Sequence, residues 1–389
     1  MTSLATQYLD AVQAGLTRLE RQLPSIAAAA TRAAESACAG GRVWALSDEE
    51  GFVSELQHRA SGLMMVRGIP GGETFELDDG VSPGDAVIAA TQDNATDRQG
   101  ALLDGLAERG VAVTLIGSVD SPLRTRAPAF IDTGLAPGSG AVLPYGDATI
   151  CPLASALNIA AGWLWCIELA NACAAIGRAP VFLMSGGLAT GRDRNAQHEG
   201  KAFHDPGEYT IVPSPAGQKG RELLSEWLRC LVGIRATELG KIAEIGALAA
   251  ATRAAGHAVW CASIGHNLHA QRGLAGDPGL FRLIFPEWSE KADLQAGDFF
   301  IFNGYYTFPD DELPAARATV ERSAWILGGR EIEAIYPHPG EIHVNAYWRY
   351  GDASINLPGY DVRVVPPSGV ITTAMLWLLH AAAADHIPA

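Results

Sequence analysis

The sequence has few basic residues for its length, and this limits the classes of partner that it suits. Its 28 Lys and Arg face 43 Asp and Glu, which gives a formal net charge of −15. Nucleic acids and anionic membranes attract proteins with a basic surface, so we expect neither to be the main partner. A few local donors are enough to hold a small anion, so an anionic metabolite is compatible with this composition.

The cysteines lack the close pairing that zinc sites and redox motifs require. No two of them form a Cys-x-x-Cys pair. Most lie among apolar residues, which is typical of buried free thiols in a reducing cytoplasm. We therefore predict no cofactor and assign no metal ligand. The cysteines are Cys38, Cys151, Cys166, Cys173, Cys230 and Cys261.

The chain also lacks an apolar run long enough to cross a membrane. Its opening, MTSLATQYLD, has neither a basic region nor a continuous apolar stretch, so we expect no signal peptide. The most apolar window, residues 153–169, is interrupted by Ser155, Asn158 and Glu168 and is shorter than a membrane span. We expect a core helix there, and a soluble cytoplasmic protein without a membrane partner.

The chain contains one arrangement of patterns twice. A long Ala/Leu helical pattern precedes the strand-like run Val43–Ser47, and another precedes Val259–Ser263, 216 residues further on. Pro83-Gly84-Asp85 and Ala296-Gly297-Asp298 each open the next apolar run at nearly the same distance. Solenoids repeat every roughly 20–50 residues, so a period of this size predicts a duplicated domain.

Short apolar runs alternate with helical patterns in both halves. This order favours βαβ units around a buried parallel sheet, so the predicted fold is α/β with two tandem doubly wound domains. We expect Pro24 to break the first helix or to begin a second one. Further helices are expected over residues 52–63 and 314–327, with a strand over residues 331–336.

The predicted domains are residues 1–176 and 218–389. Between them, residues 177–217 form a stretch rich in Gly, Pro, His and Asp that has no periodicity. A segment of this length is either a linker or a functional loop.

Four motifs occur in order in the first half. They are Glu-Leu-Gln-His-Arg-Ala-Ser-Gly-Leu at residues 55–63, Pro-Gly-Asp at 83–85, Pro-Leu-Ala-Ser-Ala-Leu-Asn at 152–158, and Pro-Val-Phe-Leu-Met-Ser at 180–185 with Gly191, Asp193 and Asn195 beyond. Together, over about residues 8–200, they resemble the SIS (sugar isomerase) domain, and most of all the group related to phosphoheptose isomerases. Ser61 is the one substitution in the first motif.

The resemblance implies a carbohydrate derivative as ligand. Tandem SIS halves in aminosugar-phosphate synthases and sugar-phosphate-sensing regulators form an internal pseudo-dimer. We expect the same arrangement here, together with a true homodimer.

SIS proteins hold the sugar phosphate in a Ser/Thr-rich loop after the second strand, and residues 91–96 match that loop. Thr91 and Thr96 keep hydroxyls, whereas Asp93 replaces a serine and would repel phosphate. Asn94 replaces a glycine, and asparagine tolerates a left-handed backbone. In the second half the matching residues, 303–307, read Asn-Gly-Tyr-Tyr-Thr and differ more.

The turn after the first strand differs between the halves. In the first half Ser47 is followed by Asp48, Glu49 and Glu50. These carboxylates either stabilise the start of a helix or bind an amine, a sugar or a metal. In the second half Ser263-Ile264-Gly265-His266-Asn267 keeps a Gly-His pair closer to the family pattern, so Ser263, His266 and Asn267 are candidate ligand-binding residues.

Aldose–ketose isomerisation needs a base that moves a proton between adjacent carbons, usually a glutamate. Glu55 occupies the family's Glu-Leu position and is the first candidate, and Glu49 is the second; either is equally compatible with an ordinary structural carboxylate. His204, with Lys201, is a candidate contributor from residues 177–217, unless this is an ordinary solvated loop.

Histidines are concentrated in the second half. His266 and His269 are spaced for one helix face, Glu341 and His343 for one strand face, and His338 lies just upstream. They are either scattered hydrogen-bonded residues or a metal site of the His/carboxylate type.

The sequence thus predicts a protein that binds a sugar phosphate or a related carbohydrate derivative. The most concrete chemistry is aldose–ketose isomerisation, with Glu55 as base and residues 91–96 binding the ligand. Two alternatives stay open: a non-catalytic sugar-phosphate sensor, and a metal-dependent enzyme that uses the histidines of the second half.

Overall fold

Two parallel sheets of five strands form the framework of the protein. The computed structural model describes residues 2–69, 80–284, 293–304, 316, 318–328, 339–349 and 351–389. One sheet lies in each half of the chain, within the ranges predicted as domains. That the two halves are separate domains stays a prediction.

The first half begins with a long helix and ends with an apolar one. Its elements are α1 (Leu4–Cys38), β1 (Val43–Ser47), α2 (Glu50–Leu56), β2 (Val66–Gly68), β3 (Ala86–Ala90), α3 (Thr96–Glu108), β4 (Ala112–Gly117), β5 (Ala129–Asp132), the small hairpin β6 (Leu143–Tyr145) and β7 (Ala148–Ile150), and α4 (Ala154–Ala175).

The second half has the same order after the short helix α5 (Gly191–Gln197). Its elements are α6 (Gln218–Gly233), which continues through a π-helical turn into α7 (Leu239–Ala254), then β8 (Val259–Ser263), β9 (Arg282–Ile284), β10 (Phe299–Gly304), β11 (Arg322–Leu327), β12 (Glu341–Asn345) and α8 (Ser368–Ala384).

The two sheets have one topology. Their strand orders are β2-β1-β3-β4-β5 and β9-β8-β10-β11-β12, and every neighbouring pair is parallel. This is the doubly wound order 2-1-3-4-5, in which the chain reverses direction across the sheet between its first and third strands. Ligands of such sheets bind at the carboxyl ends of those two strands. We call the two places the first and second switch points: the ends of β1 and β3, and the ends of β8 and β10.

One buried aspartate in each half makes the same three hydrogen bonds, and this shows the duplication at atomic level. Asp85 accepts from Arg42 N (2.8 Å), Trp44 Nε1 (2.8 Å) and Ser82 N (3.0 Å). Asp298 accepts from the N atom of Ala258 (2.9 Å), Nε1 of Trp260 (2.9 Å) and the N atom of Gln295 (3.0 Å); these are the corresponding positions. Each carboxylate ties the start of the first strand of its sheet to the turn before the third.

Helices α4 and α8 lie at the centre of the molecule and pack against α1. Among the described helices, α4 is the one long and apolar enough to span a membrane, but 94% of its most apolar window is buried inside the protein. The sequence-based expectation of a core helix over this window is met by its burial.

Three expectations for single elements are wrong. Pro24 lies inside an unbroken α1. It is exposed, so the hydrogen bond it cannot make faces water, while buried Leu23 and Ile26 keep the helix on the core. The helix expected over residues 52–63 ends at Leu56, and His58 and Ser61 beyond it have φ of 49° and 64°.

The third error concerns residues 314–327. Among the described residues of that range, 316, 318 and 319 are helical, but β11 occupies Arg322–Leu327. Five of its six residues are buried between β10 and β12. A short run buried on both faces has no periodicity of its own, so the helical pattern before it was wrongly extended. The strand expected over residues 331–336 lies outside the described residues.

We predict that Asp85→Ala and Asp298→Ala destabilise the protein by similar amounts. Each leaves two backbone N–H groups and one indole N–H without an acceptor, at a cost of about 2 kcal/mol or more. Free energies of unfolding from urea titration measure the loss. Asp147→Ala, in an exposed turn, is the control and should change stability by less than about 0.5 kcal/mol. A loss in one variant only would contradict the equivalence of the two aspartates.

Candidate functional site

At the first switch point, a carboxylate of the chain itself occupies the loop that resembles a phosphate loop. Asp48 follows β1, and the loop follows β3. Asp48 Oδ1 accepts from Gln92 N at 2.9 Å, and Oδ2 accepts from Asn94 N at 2.9 Å and from the Thr91 hydroxyl at 3.1 Å. Backbone N–H groups just before a helix are the donors that a phosphate would use. Here Asp48 uses them.

Asp93, which the sequence marks as the residue that would repel phosphate, is turned to another partner. Its backbone has φ of 59°, and its carboxylate accepts from the Ser121 hydroxyl. Asn94 is exposed and Thr96 is half-buried at the start of α3. The sequence reasoning therefore missed the main occupant of the loop, because Asp48 was considered only among the carboxylates of the turn.

Glu49 is the most enclosed acid of the first switch point. Its carboxylate accepts from Ser155 Oγ (2.5 Å), Gln92 Nε2 (2.6 Å) and Gln271 Nε2 (3.2 Å), and all three donors are neutral. Desolvation raises the pKa of Glu49 to about 7, although these hydrogen bonds oppose the shift. Ser47, the residue before this pair of acids, is buried and accepts from Glu49 N.

The second switch point is built from two asparagines and the first turns of α8. Asn267 Nδ2 donates to Thr373 Oγ1 (2.5 Å), and Asn303 Nδ2 donates to Thr372 O (3.0 Å). Both asparagines are fully buried, and their Oδ1 atoms have no donor among the described residues. Ser263, at the end of β8, is buried beside them on the neighbouring strand.

A buried charge network joins the two halves at the start of α8. Arg59 Nε donates to Glu55 Oε1 (3.1 Å), and Arg59 Nη2 donates to Asp352 Oδ2 (2.9 Å) and to the Ser368 hydroxyl. The three charged side chains are at most 2% exposed. Burial raises the pKa of Glu55 and of Asp352, against the lowering effect of the Arg59 charge.

The Glu55 carboxylate is pressed against the backbone of α8. A Cβ at Gly369 would lie 2.0 Å from Glu55 Oε1, so only glycine fits there. The positive end of the α8 dipole faces this carboxylate and favours its ionised form. Glu55 Oε1 also accepts from Trp163 Nε1 at 3.4 Å, whereas Oε2 has no donor among the described residues.

Each half lends one side chain to the switch point of the other half. Glu55 of the first half reaches the start of α8, and Gln271, 216 residues later, reaches Glu49, which accepts from Ser155 in the first turn of α4. Corresponding tryptophans hold them, since Trp377 Nε1 donates to Gln271 Oε1 (3.1 Å) as Trp163 does to Glu55. The lent group is an acid at the second switch point and an amide at the first.

The remaining candidates are distributed around these centres. His266 lies near the Ser54 backbone and Arg59 of the first half; desolvation, then the Arg59 charge, lowers its pKa to about 3, although one face of the residue stays exposed. His343 pairs with Glu341 at 3.1 Å within β12. Among the described residues, the histidines of the second half do not form a group of three metal ligands. His338 and residues 305–307 lie outside the described residues.

His204 contacts a different set of residues. Its Nε2 lies 2.9 Å from the Tyr360 hydroxyl, and its ring packs on His198 and Tyr209. The sequence-based expectation that His204 completes a carbohydrate site therefore stays a prediction.

Several residues of the two switch points were absent from the sequence-based list. The sequence analysis includes Arg59 in a motif but gives it no role. Its positive charge, close to Glu55 along the chain, was the signal that could have identified it. Asp48, Gln92 and Ser155 lie in segments that the sequence analysis quotes, but they were not named as site residues. Gln271, Asp352 and Ser368 come from the second half, from segments without a motif.

Comparison with known proteins gives matches to solved structures alone. No protein-family model matches the sequence, and no curated protein matches it significantly. A candidate phosphosugar isomerase from Clostridium difficile 630 is 8% identical, with 100% of this chain and 96% of that chain covered and a TM-score of 0.51.

Two further structures match over nearly their whole length. The C-terminal domain of glucosamine-fructose-6-phosphate aminotransferase from Francisella tularensis is 11% identical, with 95% of both chains covered and a TM-score of 0.49. A candidate phosphosugar isomerase from Silicibacter pomeroyi DSS-3 is 12% identical, with 98% of both chains covered and a TM-score of 0.49. At 8% identity, the likeness to the Clostridium difficile structure shows the shared fold alone.

We predict that Glu49 makes the stability of the protein fall as pH rises. Its folded-state pKa of about 7 exceeds the 4.5 of an ordinary glutamate, so the folded state keeps a proton that the unfolded state has lost. The contribution is fully present below pH 4.5 and is lost as pH rises through 7.

Glu49→Gln should remove this dependence, which amounts to about 3 kcal/mol at most. Urea unfolding at several pH values between 4.5 and 8 measures it for the wild type and the variant. Glu108→Gln, in an exposed position on α3, should keep the wild-type profile. Parallel profiles for wild type and Glu49→Gln would show that Glu49 ionises normally.

We predict that Arg59→Met destabilises the protein strongly. It leaves Glu55 and Asp352 buried without their counter-charge, at a cost of about 3–5 kcal/mol. Arg126→Met, in the exposed pair with Asp104, is the matched control and should cost less than about 1 kcal/mol. Unfolding titrations compare them. Equal losses of stability in the two variants would mean that the buried network stabilises the protein no more than an exposed ion pair does. Adding Asp352→Asn to Arg59→Met should recover part of the lost stability.

Proposed function

Because the chain has the tandem SIS fold, we propose that it binds a carbohydrate derivative at the second switch point, with a sugar phosphate as the first candidate. Glu55, lent by the first half, completes this site. The neighbour with a TM-score of 0.51 is a candidate phosphosugar isomerase, which supports the ligand class. A homodimer and a cytoplasmic location stay predictions of the sequence.

One observation carries the proposal: three buried acceptor oxygens around the start of α8 have no donor among the described residues. They are Asn267 Oδ1, Asn303 Oδ1 and Glu55 Oε2. An unsatisfied buried acceptor costs about 1–3 kcal/mol, so such atoms are rare unless a ligand or water supplies the donor. A sugar presents several hydroxyl donors close together, which matches a group of acceptors better than a ligand without donors would.

At the first switch point, side chains of the protein already use the donors of the loop. Asp48 holds the donors of its loop, and Gln271 covers Glu49 from the other half. A ligand there would have to displace a carboxylate and a set of formed hydrogen bonds. The sequence-based assignment of Thr91, Asp93, Asn94 and Thr96 to ligand binding therefore has less support than that of Ser263 and Asn267.

Aldose–ketose isomerisation is the second candidate function. Glu55 Oε2 has a lone pair available, and burial raises the pKa of Glu55 toward the range of a general base. Such a base takes the proton from one carbon of the substrate and returns it to the neighbouring carbon. Glu55 is fully buried, so a ligand reaches Oε2, for binding or for catalysis, only when packed atoms move.

We predict that sugar phosphates raise the thermal stability of the protein by mass action. A panel of sugar phosphates, the matching unphosphorylated sugars and inorganic phosphate, each at millimolar concentration, separates the contributions of hydroxyls and phosphate. Asn303→Ser removes one acceptor and should weaken binding about tenfold. Thr96→Ala and Asn94→Ala at the first switch point are the controls and should bind like the wild type.

Two results would contradict parts of this proposal. A panel without any stabilising carbohydrate would reject carbohydrate binding. Weaker binding by Thr96→Ala and Asn94→Ala, with Asn303→Ser unaffected, would place the ligand at the first switch point. Catalysis is tested separately: the wild type should exchange solvent deuterium into the sugar, and Glu55→Gln should bind the sugar without exchange. Binding without exchange by the wild type identifies a sensor.

A further inference from the structure

A cluster of metal-ligating side chains lies in residues 177–217, away from the contacts of both switch points. His198 follows α5, and His204 and Glu208 follow within ten residues. The three residues offer ligand atoms that all lie within 4.8 Å of one another. The His204 side chain is 0% exposed and that of His198 is 10% exposed, whereas Glu208, at 33%, faces solvent.

The two distances to Glu208 are close to those between ligands of a tetrahedral metal. His204 Nδ1 lies 3.2 Å from Glu208 Oε2, and His198 Nε2 lies 3.9 Å from Glu208 Oε1. Ligands about 2.0–2.1 Å from zinc at tetrahedral angles are roughly 3.4 Å apart. His204 Nδ1 is buried and has no aligned hydrogen-bond partner, although Glu208 is close. A buried nitrogen in this state is what a metal ligand presents.

Tyr360 holds the ring of His204 from the other side. Its oxygen accepts from Phe182 N (3.1 Å) and Arg194 Nη2 (3.2 Å), and it lies 2.9 Å from His204 Nε2. Metal-binding histidines generally have a partner at their second nitrogen that fixes the ring.

The local charges are suited to a dication. Glu208 carries one negative charge at the cluster. Arg194, whose charge acts on His204, is neutralised by two hydrogen bonds to Asp361, at 3.1 and 3.0 Å. Lys201 pairs with exposed Asp205 at 3.0 Å. The cluster and its surroundings therefore have a net negative charge.

We propose that His198, His204 and Glu208 bind a divalent transition metal of the zinc class, with water as the fourth ligand. Two imidazoles and one carboxylate are a donor set typical of zinc, and the exposed side of Glu208 leaves room for the water. The metal links residues 198–208 to Tyr360 of the second half. This site is independent of the proposed carbohydrate site.

Metal binding to His204 Nδ1 requires the neutral tautomer that carries its proton on Nε2. In that tautomer Nε2–H donates to the Tyr360 oxygen, 2.9 Å away. Protonation of a ligand histidine removes its lone pair, so metal binding weakens as pH falls.

The experiment is calorimetric titration of the chelator-treated full chain with Zn²⁺ at pH 8. We expect one metal per chain. His198→Gln and Glu208→Gln each remove a ligand and should weaken binding by more than about 100-fold; Tyr360→Phe should weaken it about 10–100-fold. Cobalt titration reports tetrahedral coordination through its visible absorption.

Glu208→Gln and His257→Gln are informative even if changes at buried His204 prevent folding. Glu208 is partly exposed, and His257, 44% exposed beside Asp298, is the control that should bind like the wild type. The proposal is overturned if the folded wild type binds no Zn²⁺ or Co²⁺ in this range. It is equally overturned if Glu208→Gln and His198→Gln bind as tightly as the wild type.

Discussion

The buried pairing of Arg59 with Glu55 and Asp352 is the interaction on which the relation of the two halves depends. It brings an acid of the first half to the start of α8 in the second, where a bare glycine backbone accommodates it. One guanidinium faces two carboxyl groups, so its charge can compensate only one of them when both are ionised. The α8 dipole and the Ser368 hydroxyl give further stabilisation. This arrangement forms only when both halves are packed together.

The duplication produces two equivalent places, and the residues make them chemically different. Glu55 and Gln271 are held by corresponding tryptophans at corresponding positions. The amide of Gln271 can donate to Glu49, and this closes the first switch point with a satisfied set of hydrogen bonds. The carboxylate of Glu55 cannot donate while ionised, and its Oε2 atom has no donor among the described residues. The two corresponding side chains, an acid and an amide, therefore give the two switch points different chemistry.

The sequence predicted what depends on local pattern and on the repeat. The strands Val43–Ser47 and Val259–Ser263 and the central apolar helices follow from continuous buried runs, and Glu55 was found from its motif. Features that depend on packing between distant segments were missed. Exposed Pro24 does not interrupt α1, because the buried residues around it hold the helix to the core. Gln271 and Asp352 enter the sites from the opposite half or from a loop without a motif, so no spacing along the chain identifies them.

Asp48 explains why a loop that resembles a phosphate-binding loop need not bind phosphate. Two unit charges 4 Å apart repel each other by about 4 kcal/mol at the effective dielectric of a protein surface, and a phosphate carries up to two. A hydrogen bond to a charged group contributes about 1.5–3 kcal/mol. Phosphate therefore cannot share the loop with the carboxylate, and it gains little by replacing it, because Asp48 already satisfies the same donors. Asp48 is moreover fixed to the end of β1, so it loses no translational freedom on binding, whereas a free anion does. The donors of this loop are therefore satisfied by a side chain of the protein itself.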